Sequence, residues 1–100
     1  MKLFDLKGKT AIVTGGNGGI GLGIARGLSE AGANLVIVGR NVQKNQKAVA
    51  SLRAENRSCL GLACDVSLKE DIDRCIEDTL TEFGRIDILV NNAGVSGGGA

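Results

Sequence analysis

The chain has 100 residues, of which 43% are hydrophobic and 23% charged, and its net charge is +1. These values are typical of one globular unit and leave no room for a second domain. The longest apolar run, Leu35 to Val38, is too short to cross a bilayer, and the charged N-terminus lacks the apolar core of a signal peptide. We therefore expect a cytoplasmic protein with no membrane partner.

The side-chain inventory excludes several kinds of site. Cys59, Cys64 and Cys75 form no C-x-x-C pair, and the absence of histidine removes the usual mixed zinc site and any Ser-His-Asp mechanism. We expect no metal, with Cys59 and Cys75 as small buried hydrophobes and Cys64 at a strand end. Two aromatic residues and no basic-aromatic cluster also exclude a nucleic-acid interface.

The most informative segment is a glycine-rich turn, Thr14 to Gly21, between an apolar strand and an amphipathic helix. Such a turn lets the backbone approach a pyrophosphate, and the N-terminus of the next helix favours an anion. A Walker phosphate loop would end in Gly-Lys-Ser/Thr, but no lysine follows before Lys44. The spacing fits G-x-G-x-x-G and, more specifically, T-G-x-x-x-G-x-G, so it predicts a dinucleotide-phosphate site.

The next elements follow from apolar periodicity. In the first helix, Ile20, Ile24 and Leu28 lie four residues apart and predict a buried stripe that ends at Gly32 as C-cap. Leu35 to Val38 predicts a strand that is buried on both faces of a parallel sheet. Asn41 is expected to cap a second helix. The inner stripe of that helix is expected to contain Val42, Val49 and Leu52.

The remaining elements complete the alternation of strands and helices. Leu60 and Leu62 indicate a third strand that ends near Asp65. Ser67 and Glu70 match a capping box for a third helix, which Gly84 ends. Its expected stripe is Leu68, Ile72, Cys75, Ile76, Thr79 and Phe83, and the last strand is Ile86 to Val90.

This alternation predicts an α/β fold: a Rossmann-type doubly wound parallel sheet with four strands in the order 3-2-1-4 and three helices. Ligands of such sheets bind at the carboxyl ends of the strands, where the strand order reverses. Here the reversal lies between strands one and four. The glycine-rich turn and the segment from Asn91 to Gly94 both emerge at that point.

Taken together, three motifs resemble those of the short-chain dehydrogenases/reductases, and the match covers nearly the whole chain. They are Thr14-Gly15-x-x-x-Gly19-x-Gly21, Asp65-Val66 and Asn91-Asn92-Ala93-Gly94. The resemblance implies an NAD(P)-dependent oxidoreductase that moves a hydride between nicotinamide and a carbonyl or alcohol substrate. It also implies a homo-oligomer, a dimer or tetramer, for the full-length parent. The alternative is a stand-alone, non-catalytic dinucleotide-binding module or redox sensor.

The resemblance also implies a role for each motif residue. Those expected at the phosphates and the adenosine ribose are Thr14, Gly15, Asn17, Gly19, Ile20 and Gly21. Asp65 would accept a hydrogen bond from the adenine amino group, and the Val66 backbone would contact the ring edge. Asn91, Asn92, Ala93 and Gly94 would flank the ribose and nicotinamide. Taken singly, Asp65 also fits a solvated strand-end acid, and the asparagines fit turn caps.

The end of the second strand bears on the choice of cofactor. An NAD site usually has an acidic residue there, about 20 residues after the glycine-rich turn, which binds the 2′-hydroxyl of the ribose. This chain has Gly39-Arg40 instead. Arg40 can pair with a 2′-phosphate, which favours NADP over NAD, although stacking on adenine is an alternative role. NADP-using relatives often carry a second basic residue where this chain has Gly18. Residues 1 to 57 hold nine basic and three acidic side chains, consistent with a phosphate pocket.

The catalytic residues that the resemblance implies are missing. Family members use a serine and a Tyr-x-x-x-Lys pair, but this chain has no tyrosine, its last lysine is Lys69, and Ser96 comes too early. We therefore assign no catalytic residue. We expect residues 1 to 100 to be the dinucleotide-binding portion of a single-domain oxidoreductase, truncated before its catalytic part. Alone, the chain is expected to be inactive and to be either only marginally stable or self-associating, because its fourth strand would be an unpaired edge.

Overall fold

A computed structural model describes residues 5–55 and 58–92 as a single parallel sheet with three helices. The strands are β1 (Thr10–Thr14), β2 (Asn34–Gly39), β3 (Cys59–Ala63) and β4 (Ile88–Asn91). The helices are α1 (Gly19–Glu30), α2 (Val42–Arg53) and α3 (Lys69–Phe83). The strand order is β3-β2-β1-β4 and every pairing is parallel, which confirms the predicted topology.

The two central strands separate two hydrophobic clusters. Leu35 and Ile37 of β2 belong to one cluster, which includes residues of α1 and α2, while Val36 and Val38 belong to the other, which includes Cys75 of α3. Successive side chains of a strand point to opposite faces, so a strand buried on both faces is continuously apolar. The predicted burial of Leu35 to Val38 is confirmed.

Helix α1 contacts the sheet through small residues and not through its whole predicted apolar stripe. The buried line consists of Gly21, Ala25 and Ser29. Ile20, which was expected in the stripe, is 75% exposed, so that part of the prediction is wrong. Small residues at the contact let the helix backbone lie near the strands, while the larger Ile24 and Leu28 are partly buried and Leu28 packs against the core cluster.

The end of α1 is a Schellman motif. Ala31 is the C-cap, one residue earlier than predicted, and Gly32 follows it with φ +105°. The Gly32 N–H donates to the Ser29 carbonyl, and the Ala33 N–H donates to the Leu28 carbonyl. Gly32 is therefore the left-handed residue that ends the helix, as the presence of glycine at this position predicted.

Helix α2 confirms its predicted cap but not its whole stripe. The Asn41 side chain accepts a hydrogen bond from the Lys44 N–H at 3.0 Å. Val42 is 51% exposed, contrary to the prediction, because it lies in the first turn, beyond the carboxyl end of β2. The buried line of α2 is instead Asn45, Ala48 and Leu52.

Helix α3 begins without the predicted capping box. Its N-cap is Leu68, which makes no side-chain cap, and Glu70 is exposed. The chain entering the helix is held instead by Asp65, whose Oδ1 accepts hydrogen bonds from the Ser67 N–H and hydroxyl, and by Asp71, whose Oδ2 accepts the Asp65 N–H. The predicted end is confirmed, since Gly84 adopts φ +78°.

The apolar faces of α3 and β4 are only partly covered by the part of the chain that the structure describes. Cys75 and Thr79 are buried and Phe83 is half-buried, but three expected stripe residues are exposed: Leu68, Ile72 and Ile76. Strand β4 starts two residues later than predicted and lies at the sheet edge, where Leu89 is 66% exposed. The predicted position of β4 at an edge is therefore confirmed for the described strands.

Candidate functional site

The glycine-rich turn and the end of β4 are joined by Thr14, the last residue of β1. Its Oγ1 lies 3.1 Å from Asn91 Oδ1 and 3.3 Å from the Val90 carbonyl, and it accepts the Asn92 N–H at 3.0 Å. The side-chain amide of Asn92 donates through Nδ2 to the Gly15 carbonyl at 3.4 Å. The two segments that the sequence placed at the strand-order reversal therefore meet through direct hydrogen bonds.

The turn itself needs left-handed backbone at two positions. Gly15 has φ +68° and Gly19 has φ +55°, conformations that favour glycine. The Gly15 N–H donates to the Val38 carbonyl at 2.8 Å, which anchors the turn to β2. A Cβ on Gly19 would find no heavy atom of the described chain within 4 Å. Gly19 thus borders open space, as a residue facing a ligand would.

Helix α1 begins at this open space without a side-chain cap. Its N-cap, Gly18, is extended and offers no side chain, and the first helical hydrogen bond is from the Leu22 N–H to the Gly18 carbonyl. The N–H groups at the start of a helix have no intrahelical partner. Uncapped N–H groups and the positive end of the helix dipole form a surface that is complementary to an anion such as a phosphate.

Gly21 has a different role from Gly19. A Cβ on Gly21 would overlap the Gly15 carbonyl oxygen and would approach Asn92 Nδ2 to 2.7 Å. The helix start therefore packs directly on the first half of the turn. Gly21 sets the shape of the turn, whereas Gly19 leaves the space above it free.

One polar residue at the site, in helix α2, was not predicted from the sequence. Asn45 of α2 is only 3% exposed, and its Oδ1 accepts a hydrogen bond from Asn17 Nδ2 at 2.9 Å. Its own amide donates to the carbonyls of Gly39 at 2.9 Å and Leu62 at 3.2 Å. Asn45 thereby links the turn to β2 and β3. The available signal was a polar residue one turn before Ala48 on the buried line.

Gly39 lies against this asparagine pair. A Cβ on Gly39 would approach Asn17 Nδ2 to 2.5 Å and Asn45 Oδ1 to 2.9 Å. The pair therefore fills the space into which a side chain at this strand end would project. An acidic residue at position 39 would have to displace it.

Arg40 and Asp65 follow the ends of the paired strands β2 and β3. The Asp65 pKa lies below its usual value, mainly because Ser67 donates two hydrogen bonds to Oδ1, and additionally because of the Arg40 charge. These bonds leave Asp65 Oδ2 as an acceptor. Arg40 is exposed, and Val66, which follows Asp65 in the chain, is 42% exposed.

The structure thus brings most of the predicted site residues to the carboxyl end of the sheet. Those it describes are Thr14, Gly15, Asn17, Gly19, Ile20, Gly21, Arg40, Asp65, Val66, Asn91 and Asn92. Ala93 and Gly94, which were also predicted to contribute, lie outside the described residues. Residues 5–55 and 58–92 hold no group of cysteines and acids that could bind a metal ion. No helix within them is long and apolar enough to cross a membrane.

The cysteines do not form a reactive centre. All three are buried, as predicted for Cys59 and Cys75, and all are free thiols. Burial raises the pKa of Cys59 to about 11 and that of Cys75 to about 12. Redox-sensing cysteines require an accessible, low-pKa thiolate. These thiols therefore lack the features of a cysteine-based redox sensor.

Curated proteins are similar to this chain in sequence. Dehydrogenase/reductase SDR family member 4 of Oryctolagus cuniculus is 47% identical over 91% of this chain and 35% of its own length. The Escherichia coli 2-dehydro-3-deoxy-D-gluconate 5-dehydrogenase is 40% identical over 95% of this chain and 37% of its own length. The chain therefore spans little more than a third of these curated relatives.

Solved structures extend the similarity to the fold. L-sorbose reductase from Gluconobacter frateurii, determined with NADPH and L-sorbose, matches with a TM-score of 0.87 and 41% identity. The match covers 94% of this chain and 36% of that one. A hydroxysteroid dehydrogenase from Escherichia coli matches with the same TM-score, 0.87, at 31% identity, over 96% of this chain and 40% of that one.

A family model provides the broadest comparison. The model for short chain dehydrogenases matches residues 9–100, which include all three motifs identified in the sequence. Identity near 40%, the shared topology and this match agree with one another. The chain belongs to the short-chain dehydrogenase/reductase family.

Proposed function

We propose that this chain is the cofactor-binding part of an NAD(P)-dependent oxidoreductase that prefers NADP. The observation that carries the proposal is the uncapped start of α1 behind Gly19, which has open space above it. The glycine-rich turn that leads into this helix is hydrogen-bonded to Asn92, just after β4, through Thr14 and Gly15. A pyrophosphate at this point would accept bonds from the free N–H groups at the positive end of a helix. When bound, the dinucleotide supplies or accepts the hydride.

The other site residues are assigned along the length of such a ligand. The Asp65 Oδ2 atom accepts the adenine amino group, and the Val66 backbone contacts the ring edge. Asn17 lies between the phosphates and the adenosine ribose, held there by Asn45. Asn91 and Asn92, with Ala93 and Gly94, flank the nicotinamide end.

The preference for NADP rests on the end of β2. Gly39 lacks the carboxylate that binds a 2′-hydroxyl, and its surroundings leave little room for one. The exposed guanidinium of Arg40 follows directly and is available to a 2′-phosphate. A relative at 41% identity, L-sorbose reductase, has been determined with NADPH, which supports this preference. NAD is the alternative.

The substrate is assigned only by class, as a small molecule with a carbonyl or alcohol group. The named relatives act on different compounds, and fold alone does not determine a substrate. The whole protein is proposed to be a homo-oligomer, a dimer or tetramer, in the cytoplasm. A Tyr-x-x-x-Lys pair beyond residue 100 of the coding sequence would support an enzyme, and its absence would support a stand-alone binding module.

Calorimetric titration tests the proposal. NADPH and NADH are titrated into the full-length wild-type protein and into its Arg40→Asp and Lys47→Asp variants. The Lys47 variant is the control, because it places the same charge change on an exposed part of α2. Loss of one charge-assisted contact predicts a roughly ten- to hundredfold loss of NADPH affinity for Arg40→Asp, with no loss for NADH. The Lys47 variant should behave as the wild type. Equal NADPH preference in all three proteins would contradict the role of Arg40.

A further inference from the structure

We propose that Lys44 of α2 is a second cation for the 2′-phosphate, provided by the helix and not by the glycine-rich turn. The inference rests on the proposed NADP function and names a specificity-determining residue for the same site. It concerns a residue that the sequence motifs do not include.

The position of the Lys44 ammonium carries the proposal. Lys44 Nζ lies 3.7 Å and Cε 3.8 Å from the point that a Cβ on Gly18 would occupy. A basic side chain at position 18 would start from that same point. The ammonium therefore reaches the glycine-rich turn from α2 and lies beside the space that such a side chain would occupy.

The local structure fixes the backbone from which the Lys44 side chain extends. Asn41 caps α2 by accepting the Lys44 N–H, which fixes the backbone of the first turn directly after β2. The next residue, Asn45, is buried and hydrogen-bonded to Asn17 of the turn. The stem of Lys44 thus begins beside a hydrogen bond that joins α2 to the phosphate turn.

The charge of Lys44 is available to a ligand. The first turn of α2 contains no acidic residue. Across residues 5–55 and 58–92, neither Lys44 nor Arg40 forms an ion pair, whereas Lys69, for example, is paired with Asp73 at 2.7 Å. Two unpaired cations therefore border the region between the turn and the end of β2, where the adenosine ribose of a dinucleotide lies in this fold.

The two cations act on a phosphate and not on a hydroxyl. A 2′-phosphate carries a charge of about −1.5 to −2 near neutral pH, by analogy with other phosphomonoesters. A neutral 2′-hydroxyl gains little from a nearby ammonium. Lys44 is exposed, so its effect should be smaller than that of a buried contact and should decline as salt screens the charge.

The test compares a charge-removing variant with a matched control. NADPH, NADH and adenosine 2′,5′-bisphosphate are titrated into the wild type, Lys44→Met, Lys44→Arg and Lys47→Met, with circular dichroism to check folding. Lys44→Met should weaken NADPH and the bisphosphate roughly three- to tenfold and leave NADH unchanged. Lys44→Arg should retain most of the wild-type affinity, and Lys47→Met should match the wild type. The difference should shrink in 0.5 M salt, as screening requires.

The outcomes separate this inference from the function on which it rests. Equal weakening of NADPH and NADH by Lys44→Met would show a structural role and overturn the inference, and so would unchanged NADPH affinity. Either result would leave the dinucleotide site intact. If the wild type bound neither NADPH nor NADH, the proposed function itself would fail, and the inference with it.

Discussion

The two ends of the sheet use polar groups in opposite ways. At the carboxyl end, the start of α1 is uncapped, Gly19 borders open space, and Arg40 and Lys44 form no ion pair within the described chain. At the amino end, Asp87 Oδ2 accepts the Thr10 N–H at 2.9 Å, and its carboxylate is paired with Arg85. One end leaves donors available for a ligand, whereas at the other Asp87 pairs with the Thr10 N–H and the Arg85 guanidinium.

Hydrogen bonds at both ends of the sheet nevertheless connect the same pair of strands. Thr14 joins β1 to β4 at the carboxyl end, and Thr10 and Asp87 join them at the amino end. Hydrogen bonds secure the pairing of β1 and β4 at both ends, while the proposed ligand-binding groups lie at the carboxyl end alone. Substitutions at open positions of the carboxyl end should therefore affect binding more than folding, and those at the amino end should do the reverse.

Gly19→Val should have the largest effect, because it would place a branched side chain in the space above the uncapped helix start. We expect dinucleotide affinity to fall by at least about a hundredfold, with the sheet still formed. Valine at a positive φ also lowers the free energy of unfolding, by about 1–2 kcal/mol. Calorimetry and circular dichroism measure the two effects.

Gly84→Val provides the matched control for this prediction. Gly84 has φ +78°, and a Cβ there also meets no heavy atom within 4 Å, but it ends α3, away from the turn. It should lose a similar amount of stability and keep full binding. Normal dinucleotide binding by Gly19→Val would show that the phosphates lie elsewhere.

Asn45→Leu should weaken the carboxyl end from within. It leaves Asn17 Nδ2 and the carbonyls of Gly39 and Leu62 without their partner, which should lower the free energy of unfolding by about 3 kcal/mol. NADPH and NADH affinity should fall together, because the turn loses its support. Urea denaturation and calorimetry report these quantities.

The neighbouring Gln46→Leu separates a specific loss from a general effect of added apolar surface. Gln46 is exposed on the same helix, so this variant should keep the wild-type stability and affinity. A similar loss of stability in both variants would contradict the structural role of Asn45.

Gly39→Asp tests whether the carboxyl end can be converted to an NAD site. The usual expectation is tighter NADH binding through the 2′-hydroxyl. Here the new Cβ would approach Asn17 Nδ2 to 2.5 Å, so we expect a loss of about 1–3 kcal/mol of stability and no gain in NADH affinity. Gly39→Ala, which adds the Cβ without the charge, should show a comparable loss of stability. Wild-type stability with tighter NADH binding in Gly39→Asp would contradict the crowding at Gly39.

Asp87→Asn should have the smallest effect and should alter stability alone. The bonds from Arg85 and Thr10 lower the folded-state pKa of Asp87 to about 2, from a usual value of 3.8. This stabilisation is complete above the unfolded-state pKa and is lost as the pH falls through the folded value. We expect a Tm lower by a few degrees at neutral pH and a weaker decline of Tm between pH 4 and pH 2.

Dinucleotide affinity at neutral pH should remain at the wild-type level in Asp87→Asn, since the residue lies at the end of the sheet opposite the site. Asp73→Asn is the control, because it removes an exposed ion pair on α3 and should change Tm very little. A pH dependence identical to that of the wild type in Asp87→Asn would refute the assigned role.

The sequence predicted the features whose causes are local. The left-handed residues after α1 and α3, the Asn41 cap and the apolar run of β2 follow from the conformational preferences of single residues or short runs. Ile20 and Val42 were misassigned for a shared reason. Each is an apolar residue in the first turn of its helix, and that turn lies beyond the strand ends, where periodicity alone predicts burial that the sheet cannot provide.

By itself, then, the sequence determined the α/β topology, the position of the glycine-rich turn and the family, because these depend on residue order and on glycine at fixed intervals. Only the tertiary structure decided which polar groups meet. Asn45 contacts Asn17 and Lys44 approaches Gly18 because α2 packs back over the turn, bringing together residues that are 26 to 28 positions apart. Contacts of that kind depend on how elements pack, and no local pattern in the chain encodes them.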